Sequence, residues 1–598
     1  MNYILHFIKR LHHFSGVALY INMFGMTVSS FLESIGILLL IPMLSLIGIV
    51  SLDMNNSYFS GLSDYMRELS PTLSLLIILC IYVTIVFIQN FIQQKVSIRN
   101  VEIQQHFSRH LRHETYQSIL QSNWPFFLKK RSSDLINLLT IELARVLGAI
   151  NLCLQLITSF IFTLIQIGIA FWLSPTLTLF VLGCGIILGL FSRKFIKEAK
   201  KLGNQTSQLS QSYLAGMTDQ LNGMKDIKSN TLESSRLNWL KALTKGMMDE
   251  QVSYMRLRMN SQLVYKLASA LLISCFILVS FKLFQTQSIQ LLTITVIFAR
   301  LWPRFTTIQS TLEQLYSMIP ACRAIILLQN ECGAAVEQLD LVNDKNTALR
   351  IKHGIECRNV SFRYNKDEDA YTLQNINLFI PSNQMTAIAG PSGAGKSTLI
   401  DLIMGLMQPE SGQILVDGVP ITNHNLVSFR KSISYVAQDP FLFNVSIREN
   451  FHMVKPDASD EQMWEALQFA SSSDFVGKLP NGLDTVIGDR GTRLSGGERQ
   501  RLVIARAIIR KPSILVLDEA TSALDTENEK KIQEAIDRLK GTMTVIVVAH
   551  RLSTIKQADQ VIVINQGILV EQGEFLQLAA DSKSLFGNLL KNQSVASA

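Results

Sequence analysis

The first half of the chain consists largely of long apolar runs, whereas the second half alternates short apolar runs with polar stretches of helical spacing. A helix that crosses a lipid bilayer needs about 20 mostly apolar residues. We therefore predict that the first half is an α-helical membrane domain that crosses a lipid bilayer. Six runs reach the required length, near residues 17–48, 72–92, 146–173, 175–194, 261–283 and 289–312.

Two long polar segments interrupt these runs, at residues 93–145 and 193–258, and both are rich in helix-forming residues. At about 1.5 Å per residue, some 25 residues of helix extend roughly 35 Å beyond a bilayer. Each segment thus has the length of two helical extensions joined at a tip. We expect the tips near residues 124–127 and 214–226.

The second half has the pattern of a soluble α/β domain, because apolar runs of strand type alternate with helical patterns. The chain has 598 residues and is too long for one domain. We expect a transmembrane domain at residues 1–325, a linker at 326–345 and a P-loop α/β domain at 346–598.

Positive charge is distributed unevenly along the chain, whose formal net charge is +8. Residues 51–71, between the first two predicted spans, contain one basic residue, whereas clusters of lysine and arginine follow the second and fourth spans. The positive-inside rule places these clusters, both termini and the α/β domain in the cytoplasm. The excess charge follows from this topology and does not indicate a nucleic-acid partner. We expect a multi-pass protein of a bacterial inner or plasma membrane.

Residues 390–397 read Gly-Pro-Ser-Gly-Ala-Gly-Lys-Ser and form a complete phosphate loop. Its glycines let backbone N–H groups close around the phosphates of ATP. Lys396 reaches the phosphates as a positive charge, and Ser397 offers a hydroxyl to Mg²⁺. The expected nucleotide contacts in this segment are Gly390, Ser392, Gly393, Ala394, Gly395, Lys396, Ser397 and Thr398.

Two carboxylates, Asp518 and Glu519, follow an apolar strand at residues 514–517, and His550 follows another at 545–549. An acid at a strand end beside a phosphate site holds Mg²⁺ through water, which is the expected role of Asp518. Glu519 is then available to polarise the attacking water. A histidine at a strand end is by itself more often structural. After a phosphate loop and an acidic pair, contact of His550 with the γ-phosphate is the favoured interpretation.

Residues 494–498 read Leu-Ser-Gly-Gly-Glu and precede a segment with the composition of a helix. Ser495 supplies a hydroxyl, and Gly496 and Gly497 let backbone N–H groups approach a phosphate. The positive end of the following helix favours the same anion. The alternative is a glycine turn before an ordinary helix.

With these motifs in order, residues 350–580 resemble the ATP-binding cassette family along their full length. The resemblance implies that Tyr364 stacks on adenine and that Gln438 joins Mg²⁺ and the attacking water to the membrane part. It also implies that Ser495, Gly496, Gly497 and Glu498 close over ATP held by a second cassette. Residues 522–525 match the family's loop for communication between the two sites. Every position of the hydrolytic pattern is present.

One phosphate loop and one signature do not complete an ATP site within one chain. The resemblance therefore implies an exporter-type half-transporter that pairs with a second copy of itself; a heterodimer with another chain remains open. It further implies ATP-driven export or flipping of an amphipathic substrate, such as a peptide, a natural product or a lipid-linked molecule, by alternating access. The alternatives are a multidrug exporter and an ATP-gated channel or regulatory protein, against which intact Glu519 and His550 argue.

The first predicted span contains Glu33, and the sixth contains Arg300 and Arg304. Such ionisable residues are costly in a bilayer and usually face protein or a water-filled cavity. We hypothesise that they line the substrate pathway and that Glu33 pairs with one of the arginines. The alternative is that the arginines lie near the cytoplasmic interface and extend their charged ends into it.

Overall fold

The computed structural model describes residues 2–39, 43, 71–173, 175–283, 288–337, 347–365, 369–519, 526–549, 552–580 and 584–596. They form two compact units. The first comprises Met1–Ser122 and Phe126–Val336 and is helical, and the second comprises Asn123–Pro125 and Glu337–Ala598 and is α/β. The predicted fold class is confirmed.

Six long helices of the first unit coincide with the six predicted spans. They are Val17–Leu38, Pro71–Leu120, Leu143–Leu173, Pro175–Asn222, Glu233–Leu283 and Ser288–Ser317. Within the described residues, Thr72–Leu120 and Ser132–Gly168 are long and apolar enough to cross a membrane. Asn2–Ser15 and Val17–Glu33 make a third candidate if this pair, bent by 101°, is counted as one span.

Shorter helices precede, connect or follow the long ones, at Asn2–Ser15, Trp124–Lys129, Ser132–Asn137, Met224–Ser229 and Ile319–Ala334, with a π-helical turn at Leu138–Glu142. Trp124–Lys129 coincides with the first predicted tip. The second tip begins later than predicted, since the fourth long helix continues to Asn222 before Met224–Ser229.

The first unit extends past the predicted domain boundary at residue 325. The helix Ile319–Ala334 buries Cys322 and Ile325 in the same apolar core as Phe107 and Val146. Burial of this face stabilises the helix as part of the membrane unit. The predicted linker therefore begins inside a helix.

The described residues of the second unit form two sheets. Their strands are β1 (Gly354–Phe362), β2 (Leu373–Pro381), β3 (Met385–Ala389), β4 (Ser411–Val416), β5 (Val419–Pro420), β6 (Ile433–Val436), β7 (Ile514–Asp518), β8 (Thr544–Val548), β9 (Gln560–Asn565) and β10 (Ile568–Gly573). The smaller sheet is antiparallel, in the order β2-β1-β4-β5. The larger has the order β10-β9-β3-β8-β7-β6, with β10 antiparallel and the other five strands parallel.

The parallel strands are apolar along their length because helices cover such a sheet on both faces. In β3 and β8 every residue is buried. The helices of this unit are Lys396–Ile403, Leu426–Lys431, Ile447–His452, Asp460–Phe469, Ser473–Gly477, Gly496–Ile508, Thr526–Asp537, Leu552–Lys556, Phe575–Ala580 and Leu585–Ala596. The carboxyl ends of β3, β6, β7 and β8 meet at one edge of the sheet, where a parallel sheet binds its ligands.

Candidate functional site

The phosphate loop connects β3 to the helix Lys396–Ile403 in a conformation that requires glycine at two points. Gly390 has φ +150°, and a Cβ there would lie 2.1 Å from the Ile564 carbonyl oxygen. Gly395 has φ +101°, and a Cβ there would lie 2.8 Å from Leu373 Cδ2. Glycine therefore fixes the shape of the loop, and its missing side chains leave the backbone N–H groups open to a phosphate.

Lys396 begins the helix that follows the loop, and its side chain returns over the loop. Its Nζ donates to the carbonyl oxygens of Gly390 (2.9 Å) and Pro391 (3.0 Å). Burial lowers the pKa of Lys396, whereas the carboxylates of Glu519 and Asp518 oppose that shift. Both carboxylates and the ammonium group therefore belong to one electrostatic site.

Other loop residues occupy the predicted positions around this lysine. The Ala394 N–H donates to the Pro391 carbonyl (3.2 Å), and Gly393 has φ +78°. Thr398 Oγ1 lies 3.0 Å from the hydroxyl of Tyr364. Ser392 lies in the turn between β3 and the helix, and Ser397 lies in the first turn of that helix.

Tyr364 links the smaller sheet to the phosphate loop. Its ring is half-exposed and packs edge-on against Phe362, with the ring centroids 5.2 Å apart. The hydrogen bond to Thr398 fixes its hydroxyl end. An exposed aromatic face held beside a phosphate loop is suited to stacking on a base.

Strand β7 ends in Asp518, and Glu519 follows with the backbone in the left-handed region, at φ +47°. A residue other than glycine is uncommon there and carries backbone strain of about 1 kcal/mol or more. The Glu519 N–H donates to the Val548 carbonyl of β8 (3.3 Å), and Gln438 Nε2 donates to Glu519 Oε2 (2.7 Å). These contacts hold Glu519 at the sheet edge despite the strain in its backbone.

The structure adds two residues that the sequence analysis does not single out. The hydroxyl of Tyr435, in β6, donates to Asp518 Oδ2 (3.2 Å). Burial, and to a smaller extent the charge of Asp518, raises the pKa of the Asp401 carboxyl to about 6. The sequence offers one signal for each: Tyr435 is the exposed position in an otherwise buried strand, and Asp401 is the acid in an apolar helix that follows the phosphate loop.

Two predicted features of this site lie outside the described residues: His550 and the loop at 522–525. The described residues on this side end at Ala549, directly before His550. Strand β8 ends at Val548, and the Ala549 N–H donates to the Ile388 carbonyl of β3 (3.2 Å).

The signature residues start the helix Gly496–Ile508 with a capping box. The Ser495 hydroxyl accepts from the Glu498 N–H (3.3 Å), and Glu498 Oε2 accepts from the Ser495 N–H and hydroxyl (2.8 Å each). Such reciprocal caps satisfy free N–H groups at a helix start. Within the chain Glu498 thus orients Ser495, and Gly496 has no heavy atom within 4 Å of an added Cβ.

In the membrane unit, Glu33 and Arg304 come together as hypothesised. Glu33 Oε1 lies 3.6 Å from Arg304 Nη2, and both side chains are half-buried. The guanidinium carbon of Arg304 also lies 4.1 Å from the centroid of the Phe162 ring, within reach of a cation–π contact. Arg300 lies in the helix Ser288–Ser317, but its side chain is outside the described residues.

The neighbours of Glu33 on the same helical face pack against protein. Asn22 donates to Asn100, and a Cβ on Gly25 would lie 2.7 Å from Val96 Cγ2. This part of the face is an interface with the helix Pro71–Leu120. On this face of the first span, Asn22 and Gly25 therefore form a packing surface, whereas Glu33 is a charged position that pairs with Arg304.

Comparisons with known proteins cover both units. The family model for the ABC transporter transmembrane region matches residues 19–301, and that for the ABC transporter matches residues 373–522. The heterocyst differentiation ATP-binding protein HepA of a Nostoc species is 34% identical, over 78% of this chain and 76% of its own length. The ATP-dependent lipid A-core flippase of Burkholderia orbicola is 32% identical, over 78% of each chain.

A solved structure of a bacterial Atm1-family ABC exporter with ATP bound matches with a TM-score of 0.80. The match covers 97% of this chain and 99% of the exporter chain, and the two sequences are 24% identical. At that level of sequence identity, the similarity establishes a shared fold and nothing more specific.

Proposed function

Since the chain belongs to the ABC transporter family and is an ATP-driven exporter, we propose that it is a half-transporter that works as a homodimer. The observation that carries the proposal is the complete set of hydrolytic residues on a chain with one phosphate loop and one signature. Two copies placed head to tail then build two equal ATP sites. In a heterodimer this chain would supply its phosphate loop to one composite site and its signature to the other.

Hydrolysis of ATP begins with capture of its phosphates by the N–H groups of the phosphate loop. Lys396 neutralises negative charge on the phosphates, and Tyr364 stacks on the base. Glu519 then polarises the attacking water, with Gln438 holding its carboxylate in place. His550 is proposed to contact the γ-phosphate, and Ser495, Gly496 and Gly497 of the second chain cover it from the other side.

The donor set also fits Mg²⁺. Ser397, Asp518 and Gln438 offer a hydroxyl, a carboxylate and an amide oxygen, all hard oxygen ligands of the kind this ion prefers. The Tyr435 hydroxyl donates to Asp518 Oδ2 and so orients this carboxylate. The ion, when bound, supplies positive charge that offsets the charge developing on the transferred phosphoryl group.

Alternating access converts hydrolysis into transport. ATP binding closes the two cassettes and turns the membrane helices outward, and hydrolysis separates them again. With the cassette and both termini in the cytoplasm, as the charge pattern favours, this cycle moves substrate outward across a bacterial inner or plasma membrane.

For the substrate we propose an amphipathic molecule, with a lipid-linked compound as the leading class and peptides or other natural products next. A relative named as a lipid A-core flippase supports this order. The pair of Glu33 and Arg304, a polar contact between otherwise apolar helices, supports an amphipathic substrate of either class. Such a pair interacts with the polar end of a molecule whose apolar part remains among the helices.

Translocation in proteoliposomes tests this function. Fluorescent lipid-linked oligosaccharide, lipid A-core and an amphipathic peptide are each supplied on the cassette side, with ATP and Mg²⁺. We expect ATP-dependent translocation of at least one, abolished in Glu519→Gln. An ATP-dependent ion current without coupled hydrolysis would favour the channel alternative and contradict the proposal.

Substitutions at Glu33 and Arg304 test whether these residues line the substrate pathway. Glu33→Gln and Arg304→Gln are expected to reduce translocation and substrate-stimulated ATPase together, and the double variant is expected to resemble the single ones because the two groups act as a pair. Glu102→Gln, an exposed carboxylate on the helix Pro71–Leu120, is the matched control. Unchanged export in Glu33→Gln, Arg304→Gln and Arg300→Gln would refute the assignment.

A further inference from the structure

Strand β6 and the residues that follow it supply a donor to each of the two acids at the carboxyl end of β7. The strands are parallel neighbours, with Tyr435 opposite Val516. The Tyr435 hydroxyl donates to Asp518 Oδ2 (3.2 Å), and Gln438, two residues after β6, donates to Glu519 Oε2 (2.7 Å). Donors spaced three residues apart therefore hold two adjacent carboxylates, and each acid has a partner of its own.

Tyr435 differs from the rest of its strand. The other three residues of β6 are buried, whereas Tyr435 is 42% exposed. Strand β6 is the last strand in the order of the larger sheet, so its outer side is not covered by another described strand. A side chain in this position gains less from burial than its neighbours do. Its hydroxyl is the part that reaches the acidic site.

A third acid lies within electrostatic reach of this tyrosine. Burial, followed by the charges of Asp518 and Asp401, raises the pKa of Tyr435, so its hydroxyl keeps its proton at neutral pH and acts as a donor. Asp401 has a different donor, the indole N–H of Trp124, which belongs to the same unit. The hydroxyl proton of Tyr435 therefore serves Asp518, because Asp401 is supplied from elsewhere.

The direction in which Asp518 points determines how well it can hold a cation through water. The terminal torsion of an aspartate has a broad range of values, so the carboxylate plane is fixed only when a neighbour binds one of its oxygens. A hydroxyl on a rigid ring that is anchored in a strand provides such a neighbour. Partners of this kind, one layer outside the metal ligands, typically contribute about 10- to 100-fold to metal affinity.

We infer that Tyr435 is a positioning residue that raises the affinity of the ATP site for Mg²⁺ by holding the carboxylate of Asp518. The inference rests on the proposed function, since it concerns the same site. Tyr435 acts through Asp518, whereas the carboxylate of Glu519 has its own donor in Gln438. The hydroxyl is therefore expected to affect cation affinity, and to leave both ATP affinity and turnover at saturating Mg²⁺ nearly unchanged.

Binding of Mn²⁺ tests this inference in the full chain, because Mn²⁺ accepts the same oxygen ligands as Mg²⁺ and is detected by electron paramagnetic resonance. Mn²⁺ is titrated into purified protein that is in excess over a non-hydrolysable ATP analogue. Tyr435→Phe keeps the ring and removes the hydroxyl. We expect about tenfold weaker Mn²⁺ binding in this variant, at the lower end of the range for an outer partner. Binding of the analogue in EDTA is expected to be unchanged.

Further variants separate positioning from a general effect on the fold. Tyr371→Phe is the matched control, because it removes a hydroxyl from another exposed tyrosine of the cassette and keeps the ring that lies 5.0 Å from the Arg363 guanidinium. In an Asp518→Asn background, Tyr435→Phe is expected to weaken Mn²⁺ binding no further, since the two groups act as a pair. In steady-state turnover, the Mg²⁺ concentration for half-maximal rate is expected to rise about tenfold in Tyr435→Phe, with little change in the maximal rate.

Equal Mn²⁺ affinities of wild type and Tyr435→Phe would overturn the inference, as would an undiminished loss in the Asp518→Asn background. Loss of analogue binding in EDTA, or a lower unfolding midpoint without nucleotide, would show a structural role for the hydroxyl and would overturn it too. A wild type that binds Mn²⁺ with the analogue but translocates no substrate contradicts the proposed function alone. Normal translocation together with equal Mn²⁺ affinities contradicts this inference alone.

Discussion

Glu519 combines the two properties expected of a residue that acts on water: an oriented carboxylate and a strained backbone. Its φ of +47° is uncommon for a glutamate, and such strain persists only where neighbouring contacts enforce it. Here the N–H bond to Val548 and the side-chain bond from Gln438 do so. The strain therefore marks the carboxylate as a functional group and gives little reason to assign it a structural role.

Replacing this carboxylate separates binding from turnover. Glu519→Gln is expected to bind ATP normally but to release phosphate at least about 100-fold more slowly, the usual scale for the loss of a positioned base. Steady-state phosphate release and nucleotide binding are measured together. Glu465→Gln, an exposed position on the helix Asp460–Phe469, is the control. Near-wild-type turnover in the Glu519 variant would refute its role.

Titration of Asp401 is expected to make the stability of the cassette depend on pH. Its pKa rises from 3.8 to about 6, chiefly because burial disfavours the charged form. Between these two values the folded state binds more protons than the unfolded chain. The contribution of protonated Asp401 is therefore complete below about pH 4 and is lost as the pH rises through about 6.

Asp401→Asn keeps the neutral shape of the side chain at every pH. Because the carboxyl is only partly buried, we expect a gain of about 1 kcal/mol in unfolding free energy at pH 8, and little difference from wild type at pH 4.5. Thermal unfolding across this range measures the effect. Asp457→Asn, in an exposed loop, is the control. A gain that is independent of pH would contradict the predicted titration.

At the scale of elements, three helices of the membrane unit meet around Arg145. Its guanidinium donates to the carbonyl oxygens of Gly203 (3.1 Å) and Ser317 (2.9 Å). Ser317 ends the helix Ser288–Ser317, so its carbonyl has no partner in a next helical turn. The approach is so close that a Cβ on Gly203 would lie 2.0 Å from that oxygen.

Gly203→Ala is therefore expected to force the helices apart and to lower the free energy of unfolding by about 1–3 kcal/mol, the usual cost of overpacking. Gly189→Ala, on the same helix, meets no heavy atom within 4 Å and is expected to be neutral or slightly stabilising. The thermal unfolding midpoints of the two variants in one detergent make the comparison. Equal midpoints would show that this crossing is not rigid.

The sequence predicts the elements of this chain well where one local pattern determines them. The six apolar runs and the phosphate loop between β3 and its helix are of this kind. The end of the membrane unit near Val336 was not predicted, because burial of Cys322 and Ile325 depends on distant helices. The same holds for the contact of Tyr435 with Asp518, since only pairing of β6 with β7 brings them together.

The contacts of the first span were also not predictable from local sequence alone. Residues spaced three or four apart share a helical face, but their spacing does not reveal what that face contacts. Gly25 packs against Val96, whereas Glu33 reaches Arg304 from a helix far along the chain. The pairing of Glu33 with an arginine was predictable from the cost of charge in a membrane, and the choice of Arg304 needed the fold.

Hydrolysis by the whole molecule is proposed to require assembly of two copies. One chain carries one phosphate loop and one signature, and its fold matches an ABC exporter over 97% of its length. Our central claim is that Ser495 of one copy lies against ATP held by Lys396 of another. A chain that completed its site alone would need no partner for hydrolysis.

Disulfide crosslinking between two differently tagged copies tests this claim most directly. In a background without native cysteines and with Glu519→Gln, one copy carries Ser392→Cys and the other Gly496→Cys. We expect a crosslinked product that contains both tags and increases with ATP and Mg²⁺. Absence of a product with both tags, or a yield that ATP does not change, would contradict this arrangement.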